Sequence, residues 1–315
     1  MVRFVAGRLL SAIPVLIVVS LVSFLIMWIV PGDLASELAG PGAGREEIER
    51  IREQLGLDRP ILERAVEWYG NLLQGDLGYS YLLDRPVTEA VLERLPVTLS
   101  LAALALVLAV LMGMGLGVLA SVRHGTVVDQ AAMSVALVGL SVPEFWLGLM
   151  LIVLFAVQLG WLPTGGFVPI TESFSGWAQS MILPALTLAF TQMGVIARMT
   201  RSAMLDVLGQ DYIRTARAKG LGGSAVIFRH ALLNALIPVV TLIGVLTGVL
   251  IGGAVVIEAV YSLPGVGRLI IGAIQRRDFP VIQGGLLVTA ATFVFVNIVV
   301  DLVYGWLDPR VRHGR

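Results

Sequence analysis

Cysteine is absent from the 315 residues, which excludes disulfides, thiolate metal sites and a cysteine nucleophile, and leaves the redox compartment open. Histidine occurs only at His124, His230 and His313, scattered and each beside arginine or glycine, so no histidine metal cluster is expected. The single lysine is Lys219, and Gly220 follows it. A phosphate-binding P-loop needs lysine followed by serine or threonine after a glycine-rich turn. This chain therefore cannot hold ATP in that way, and any nucleotide energy has to come from another chain. Charge is also scarce: 14% of residues are charged, against about a quarter in globular proteins. The formal balance is zero, which gives no reason to expect nucleic acid or a strongly charged partner.

What the chain has in abundance is apolar residues, 57% of the total, with a mean hydropathy of +0.88. Such a composition belongs in a bilayer. Six stretches are long enough to cross about 30 Å of hydrocarbon as helices, near 9–30, 96–121, 130–159, 181–204, 236–257 and 281–306. The first, Leu9 to Val30, follows Arg3 and Arg8 as a signal peptide would. It ends in bulky Trp28-Ile29-Val30 with no small-residue cleavage site and is longer than the ~7–15 residues of a secretory apolar region, so a retained span is expected. With the N-terminus inside, the cytoplasmic pieces hold twelve arginines and lysines and the short external loops hold Arg268, Arg276 and Arg277. The positive-inside rule then puts both termini and the 205–235 loop in the cytoplasm.

Residues 31–95 form a long polar segment with thirteen acidic and seven basic residues, expected outside. Ile48, Ile51 and Leu55, and then Leu62, Ala65, Val66, Tyr69 and Leu72-Leu73, recur at helical spacing, predicting two amphipathic helices before a loop at Gly75–Ser80. These suit either a cap over the membrane domain or a docking surface for an external partner. Gly244, Gly248 and Gly252, and Gly113 with Gly117, recur every four residues and predict close helix packing.

The most informative stretch lies between the fourth and fifth spans: Asp211-Tyr-Ile-Arg-Thr-Ala-Arg-Ala-Lys-Gly220-Leu221, then Gly222 to Ser224, and Arg229-His-Ala-Leu-Leu-Asn-Ala-Leu-Ile-Pro238. Residues 206–218 favour a helix, Gly220–Gly223 break it, and Ser224 is placed to cap a second helix carrying Val226, Ile227 and Leu232. The expected product is an elbow with small residues, Ala216 and Ala218, and a ring of arginines suited to a partner's carboxylates.

This stretch resembles the EAA loop of ABC importer permeases, in the version found in the dipeptide/oligopeptide/nickel family. Pro31-Gly32-Asp33, Gly56–Pro60, Gly75–Ser80, Arg94-Leu95-Pro96, Ser141–Trp146, Glu258–Arg268 and Arg277–Gly284 also look like that family, in order and at its spacing. The resemblance places the motif's second alanine on Ala216 and its glycine on Gly220. Arg214, Thr215 and Leu233 depart from the general motif in ways ordinary for the peptide branch.

The resemblance implies an all-α membrane protein with six transmembrane helices. Residues 1–95 would supply an N-terminal helix and external helical segment, 96–306 a type I ABC importer core with coupling loop 206–235, and 307–315 a cytoplasmic tail. It also implies a coupling surface at Asp211, Arg214, Ala216, Arg217, Ala218, Lys219, Gly220, Leu221 and Ser224. Implied partners are a second homologous permease, two ATP-binding subunits that hold ATP and magnesium, a periplasmic or lipid-anchored solute-binding protein, and membrane lipid. No cofactor is expected in this chain. Peptides are the first substrate expectation, with nickel, glutathione or opine-like solutes as alternatives.

Along the pathway, Glu144 is expected near the middle of the third span behind Pro143, as a cavity-lining or a structurally paired acid, because an acid at that depth costs about 2.5–3.5 kcal/mol. Asp301 is expected to be structural. Glu258 and the Tyr261–Arg268 turn are expected at the external mouth, as a gate, a binding-protein contact or a tight re-entrant turn. Two other classes were weighed. An ion-coupled secondary transporter would be expected to carry inverted repeats, and an intramembrane hydrolase needs a nucleophile and base at membrane depth.

Overall fold

Long apolar runs have one stable option in lipid, because every backbone N–H and C=O must be satisfied within the segment. The computed structural model, which describes residues 2–29, 34–40 and 42–307, follows that rule. In chain order the elements are α1 (Val2–Ile29), α2 (Leu34–Ala39), α3 (Arg45–Gln54), α4 (Ile61–Leu73), β1 (Tyr79–Ser80), β2 (Arg85–Pro86), α5 (Val87–Leu92), α6 (Leu95–Val122), α7 (Val127–Ser141) and α8 (Glu144–Leu151). A π-helical stretch, Ile152–Gln158, extends α8. There follow α9 (Phe174–Leu208), α10 (Asp211–Ala218), α11 (Gly223–Ala225) with a π-helical continuation Val226–Ala231, α12 (Leu232–Val260), α13 (Val266–Gln275) and α14 (Phe279–Leu307).

Among the described residues, five helices are long and apolar enough to cross a membrane, and α7 with α8 make a sixth candidate crossing that is bent by 106°. The third expected span is therefore not the single helix foreseen over 130–159. Pro143 has no amide proton and disfavours helical geometry in the residue before it. Val142 is accordingly extended at φ −86, ψ 126, and the helix restarts at Glu144.

Packing divides the described residues into two units, one of 99–263 with 296–307, the other drawn from 2–98 with 264–295. The first is organised around α9. Gly113 and Gly117 of α6 leave no room for a side chain: a Cβ on Gly113 would stand 2.7 Å from Ile196 Cβ, and one on Gly117 2.6 Å from the carbonyl oxygen of Ala197. Those two glycines pack as their spacing predicts. On α12 the stripe holds at Gly244, which faces Val300, but Gly252 meets nothing within 4 Å. The close approach there is made by Gly253, against Leu188 and the Glu144 carboxylate.

In the other unit, α3 and α4 form where the amphipathic spacing predicts. The 75–80 loop leads into a two-residue antiparallel hairpin, with Tyr79 opposite Pro86. On α4, Leu62, Val66 and Leu73 are exposed. What docks α4 onto α1 is aromatic: Trp68 lies 5.6 Å from Phe24 and edge-on to Tyr69, whose hydroxyl reaches Ser20 Oγ at 3.3 Å. The core of this unit is Val87, Ala90 and Val91 against Val266, Leu269, Ile270, Phe279 and Ile282.

Candidate coupling and pathway site

α9 ends at Leu208, and Gly209-Gln210 turn the chain into α10. The 206–218 stretch is thus two helices rather than one. Along α10, Ile213 (0% exposed) and Ala216 (8%) point into a cluster with Met204, Val226, Ala231 and Ala235, where a fully buried isoleucine, valine or methionine side chain is worth about 1.5–3 kcal/mol. The opposite side is exposed: Asp211, Arg214, Arg217, Ala218, Lys219, Gly220, Leu221 and Ser224. Ala216 is the exception among the expected contact residues, because its small side chain seats α10 on its own protein rather than on a partner. The Arg214–Asp211 pair at 3.3 Å is solvent-exposed and adds little rigidity.

The elbow's corner is a Schellman turn. Gly220 N donates to Arg217 O at 3.0 Å and Leu221 N to Ala216 O at 3.3 Å, which requires the left-handed conformation found at Gly220, φ +79. Ser224 does not cap the next helix as expected. α11 begins two residues earlier than that cap would set, with Gly222 at its N-cap and no side-chain cap bond.

A second anchor stiffens the same end of the unit, and sequence reasoning did not single it out. The Arg201 guanidinium grips the Asp129 carboxylate with both arms, Nε to Oδ1 at 2.7 Å and Nη2 to Oδ2 at 2.8 Å. Gly125 N donates to the same carboxylate at 3.0 Å, and His124 Nδ1 lies 3.1 Å away. Asp129 is 4% exposed, so losing its cation would strand a buried charge. This ties the α6–α7 turn to α9 just before the elbow. The available signal was a lone acid opening an apolar run directly after Arg123-His124-Gly125.

From that anchor the third span climbs α9 antiparallel. Asp129 meets Arg201, Ala136 meets Gly194, Gly139 meets Phe190, Gly148 meets Thr187, and Val168 meets Ser180 and Gly176. The contacts progress along about 25 residues of α9, roughly 37 Å of helix. A segment that returned to its own side would retrace its contacts. The bent pair is therefore a broken span.

At the break, Glu144 occupies the first turn of α8, where a negative charge suits the helix dipole. It is partly exposed, lies beside Thr191 of α9, and its Oε2 fills the space that a Cβ on Gly253 would need. Tyr261 and Glu258 lie inside the fold, which fits the tight-turn alternative and not a binding-protein contact. Both are buried, at 1% and 0% exposure, so neither offers surface to an external protein. The Tyr261 hydroxyl contacts Thr187 Oγ1 at 2.9 Å and donates to Gly148 O at 3.2 Å. Its carbonyl accepts from Gly166 N at 3.1 Å. Tyr261 thus braces α8, α9 and the 159–173 segment from inside. Arg268, on α13, is exposed. The side chain of Asp301, the residues Pro31-Gly32-Asp33 and the 308–315 tail lie outside the described residues.

The site combines a broken span, a glycine-cornered elbow with one exposed side, and a buried helix α9. Residues 113–313 match the binding-protein-dependent transport system inner membrane component, and residues 1–102 match the N-terminal membrane component of such systems. The chain belongs to this family. A permease of this family is a multi-pass inner-membrane subunit that works with an ATPase and a substrate-binding protein. Over 313 residues, covering 99% of this chain and 100% of the relative, it is 48% identical to a Brucella abortus (strain 2308) protein named as a peptide transport system permease. At the same coverage it is 42% identical to the glutathione transport system permease protein GsiC of Escherichia coli (strain K12). The inward-facing MetNI methionine ABC transporter shares its fold at a TM-score of 0.55 and 18% identity, over 69% of this chain and 95% of that one.

Proposed function

We propose that this permease forms half of the pathway of an ATP-driven importer of di- and oligopeptides, and that α10 with the Gly220 corner transmits the ATPases' closure to α9. In this reading the chain is non-catalytic. ATP and magnesium sit in two ATP-binding subunits, a second homologous permease completes the pathway, and a periplasmic or lipid-anchored protein delivers the solute. Both termini and the elbow face the cytoplasm, where the arginine count places them. Full-length relatives named for peptide and glutathione transport support the substrate class. Glutathione is itself a small peptide-like solute, and nickel and opine-like solutes remain the competing cargoes.

The observation that carries the coupling role is the two-sidedness of the elbow. Its apolar side is locked into the core through Ile213 and Ala216, while Arg217, Lys219 and Leu221 stand exposed around a rigid turn. A lever needs a fixed end and an accessible one. Glu144, at the break of the third span, is the residue proposed to meet a solute's ammonium group.

The test uses purified complexes and vesicle uptake. ATP-binding subunits should co-purify and crosslink to residues 211–224. Gly220→Val should insert normally yet lose at least tenfold in ATP-driven uptake, because a β-branched residue resists positive φ. Gly220→Asn, which tolerates that region, should retain most of it. Normal uptake by Gly220→Val, or transport by the isolated chain on an ion gradient, refutes the reading.

A further inference from the structure

The unit containing α1 has a half-open cavity of about 350 Å³ between α1, the α3–α4 turn, α4, the hairpin and the start of α14. That volume lies at the lower end of the range of small-molecule sites and suits a solute of amino-acid to dipeptide size. Its walls are chemically divided. Phe24, Trp68 and Phe279 supply an aromatic side, and Arg64, Glu67 and Gln283 a polar one. Arg64 is held in place by donating to Leu57 O at 3.4 Å and to Met27 Sδ at 2.7 Å. Gln283 is 2% exposed and its Nε2 has no hydrogen-bond partner. The terminal torsion of glutamine is soft, so this unspent donor can turn toward a ligand. Burial holds the Arg64 guanidinium below its ordinary value even though Asp58 and Glu67 oppose the shift, and an added anion would offset that burial.

We propose that this cavity binds a small solute carrying a carboxylate beside an apolar side chain, the carboxylate against Arg64 and the apolar part against Phe24, Trp68 and Phe279. A guanidinium carries five N–H donors, so Arg64 can add a carboxylate to the bonds it makes within the chain, and aromatic faces accept apolar groups at little ordering cost. Glu67, which pairs at 3.3 Å with Arg59, another lining residue, can also take an ammonium group of the same solute, so an amino acid or a short peptide fits. The site is separate from Glu144 and the elbow. It relies on the importer reading only for its position on the external side.

The experiment is calorimetric titration of the assembled permease–ATPase complex in nanodiscs, without the external binding protein, using N-acetyl-L-leucine and L-leucinamide as probes. N-acetyl-L-leucine should bind saturably, and leucinamide, lacking the carboxylate, at least tenfold more weakly. Arg64→Gln should weaken N-acetyl-L-leucine binding at least tenfold. Asn71→Trp, which fills the rim without removing a charge, should abolish it, with ATP turnover unchanged in both variants. No saturable binding, equal binding of the two probes, or binding indifferent to both variants overturns the site. So does saturation by the external binding protein alone that Asn71→Trp removes, which would make the cavity a docking crevice. A complex that imports solute yet ignores N-acetyl-L-leucine sinks this site only; a chain that binds the probe but recruits no ATPase sinks the importer reading only.

Discussion

The most apolar of the five long spans, α1, is the least buried within its own chain, at 17% of its window, while α9 has the lowest mean hydropathy of the five and is 72% buried. In water the order would be reversed. In lipid the hydrocarbon is as apolar as leucine, so hydropathy marks the surface turned to acyl chains, and helix contact selects small and polar residues instead. The buried residues of α9 include Thr187, Gln192, Gly194, Ala197 and Thr200. On α1, Leu10, Ile17, Val18 and Val22 are exposed.

Substitutions can break or sharpen that contrast. The largest effect is expected at Gly194 on α9, where a Cβ would lie 2.3 Å from the Ala136 carbonyl oxygen. Gly194→Leu should prevent recovery of folded permease from the membrane, read by size-exclusion chromatography. Next comes the ion pair at the end of α9. Asp129→Asn should lower uptake about tenfold or more and depress the thermal midpoint by several degrees. Arg201→Gln should do the same, and the double variant should cost far less than the sum, because the two groups act as one contact; additive losses would refute the anchor.

A smaller effect is expected in the α1 unit, where a buried acid is held by neutral donors. Ser80 Oγ donates to Asp278, and Val281 N lies 3.5 Å from the same carboxyl. Burial raises the Asp278 carboxyl above its ordinary 3.8, outweighing those bonds and Arg276. A raised folded value means that its contribution to stability is full below 3.8 and is lost as pH rises through the folded value. Amides of residues 79–87 should therefore be better protected from hydrogen exchange, after correction for intrinsic rates, near about pH 4 than near about pH 7, and Asp278→Asn should flatten the difference. The smallest change is expected at Ile17 on the exposed face of α1, where Ile17→Ala should alter stability by no more than about 0.5 kcal/mol; a drop as large as that of a core variant would mean that another helix covers this face.

Much of the architecture was legible because its signals are local. Span existence follows from uninterrupted apolar runs, α3 and α4 follow from periodicity, and the elbow follows from Gly220 behind a charged amphipathic turn. The break at Val142-Pro143 carries its proline signal, but the apolar run continues through it, and continuity alone favours one helix. The expected contact role of Ala216 failed for a different reason: smallness alone does not say whether a residue faces a partner or its own core. Tyr261 and Glu258 read as residues of an external mouth, because they border a polar turn. The Tyr261 hydroxyl is instead taken up by Thr187 and Gly148, far away along the chain.

Composition and local pattern by themselves decided that this chain lives in a membrane, has no P-loop, crosses about six times and presents a glycine-cornered lever, because bilayer thickness, backbone hydrogen bonding and positive φ each act over a few residues. Only the tertiary structure decided which helix is central, which acid pairs with Arg201, that Tyr261 is an internal brace, and that a divided cavity lies beside α1. Those outcomes depend on contacts between segments many residues apart, whose partners no single stretch of sequence specifies.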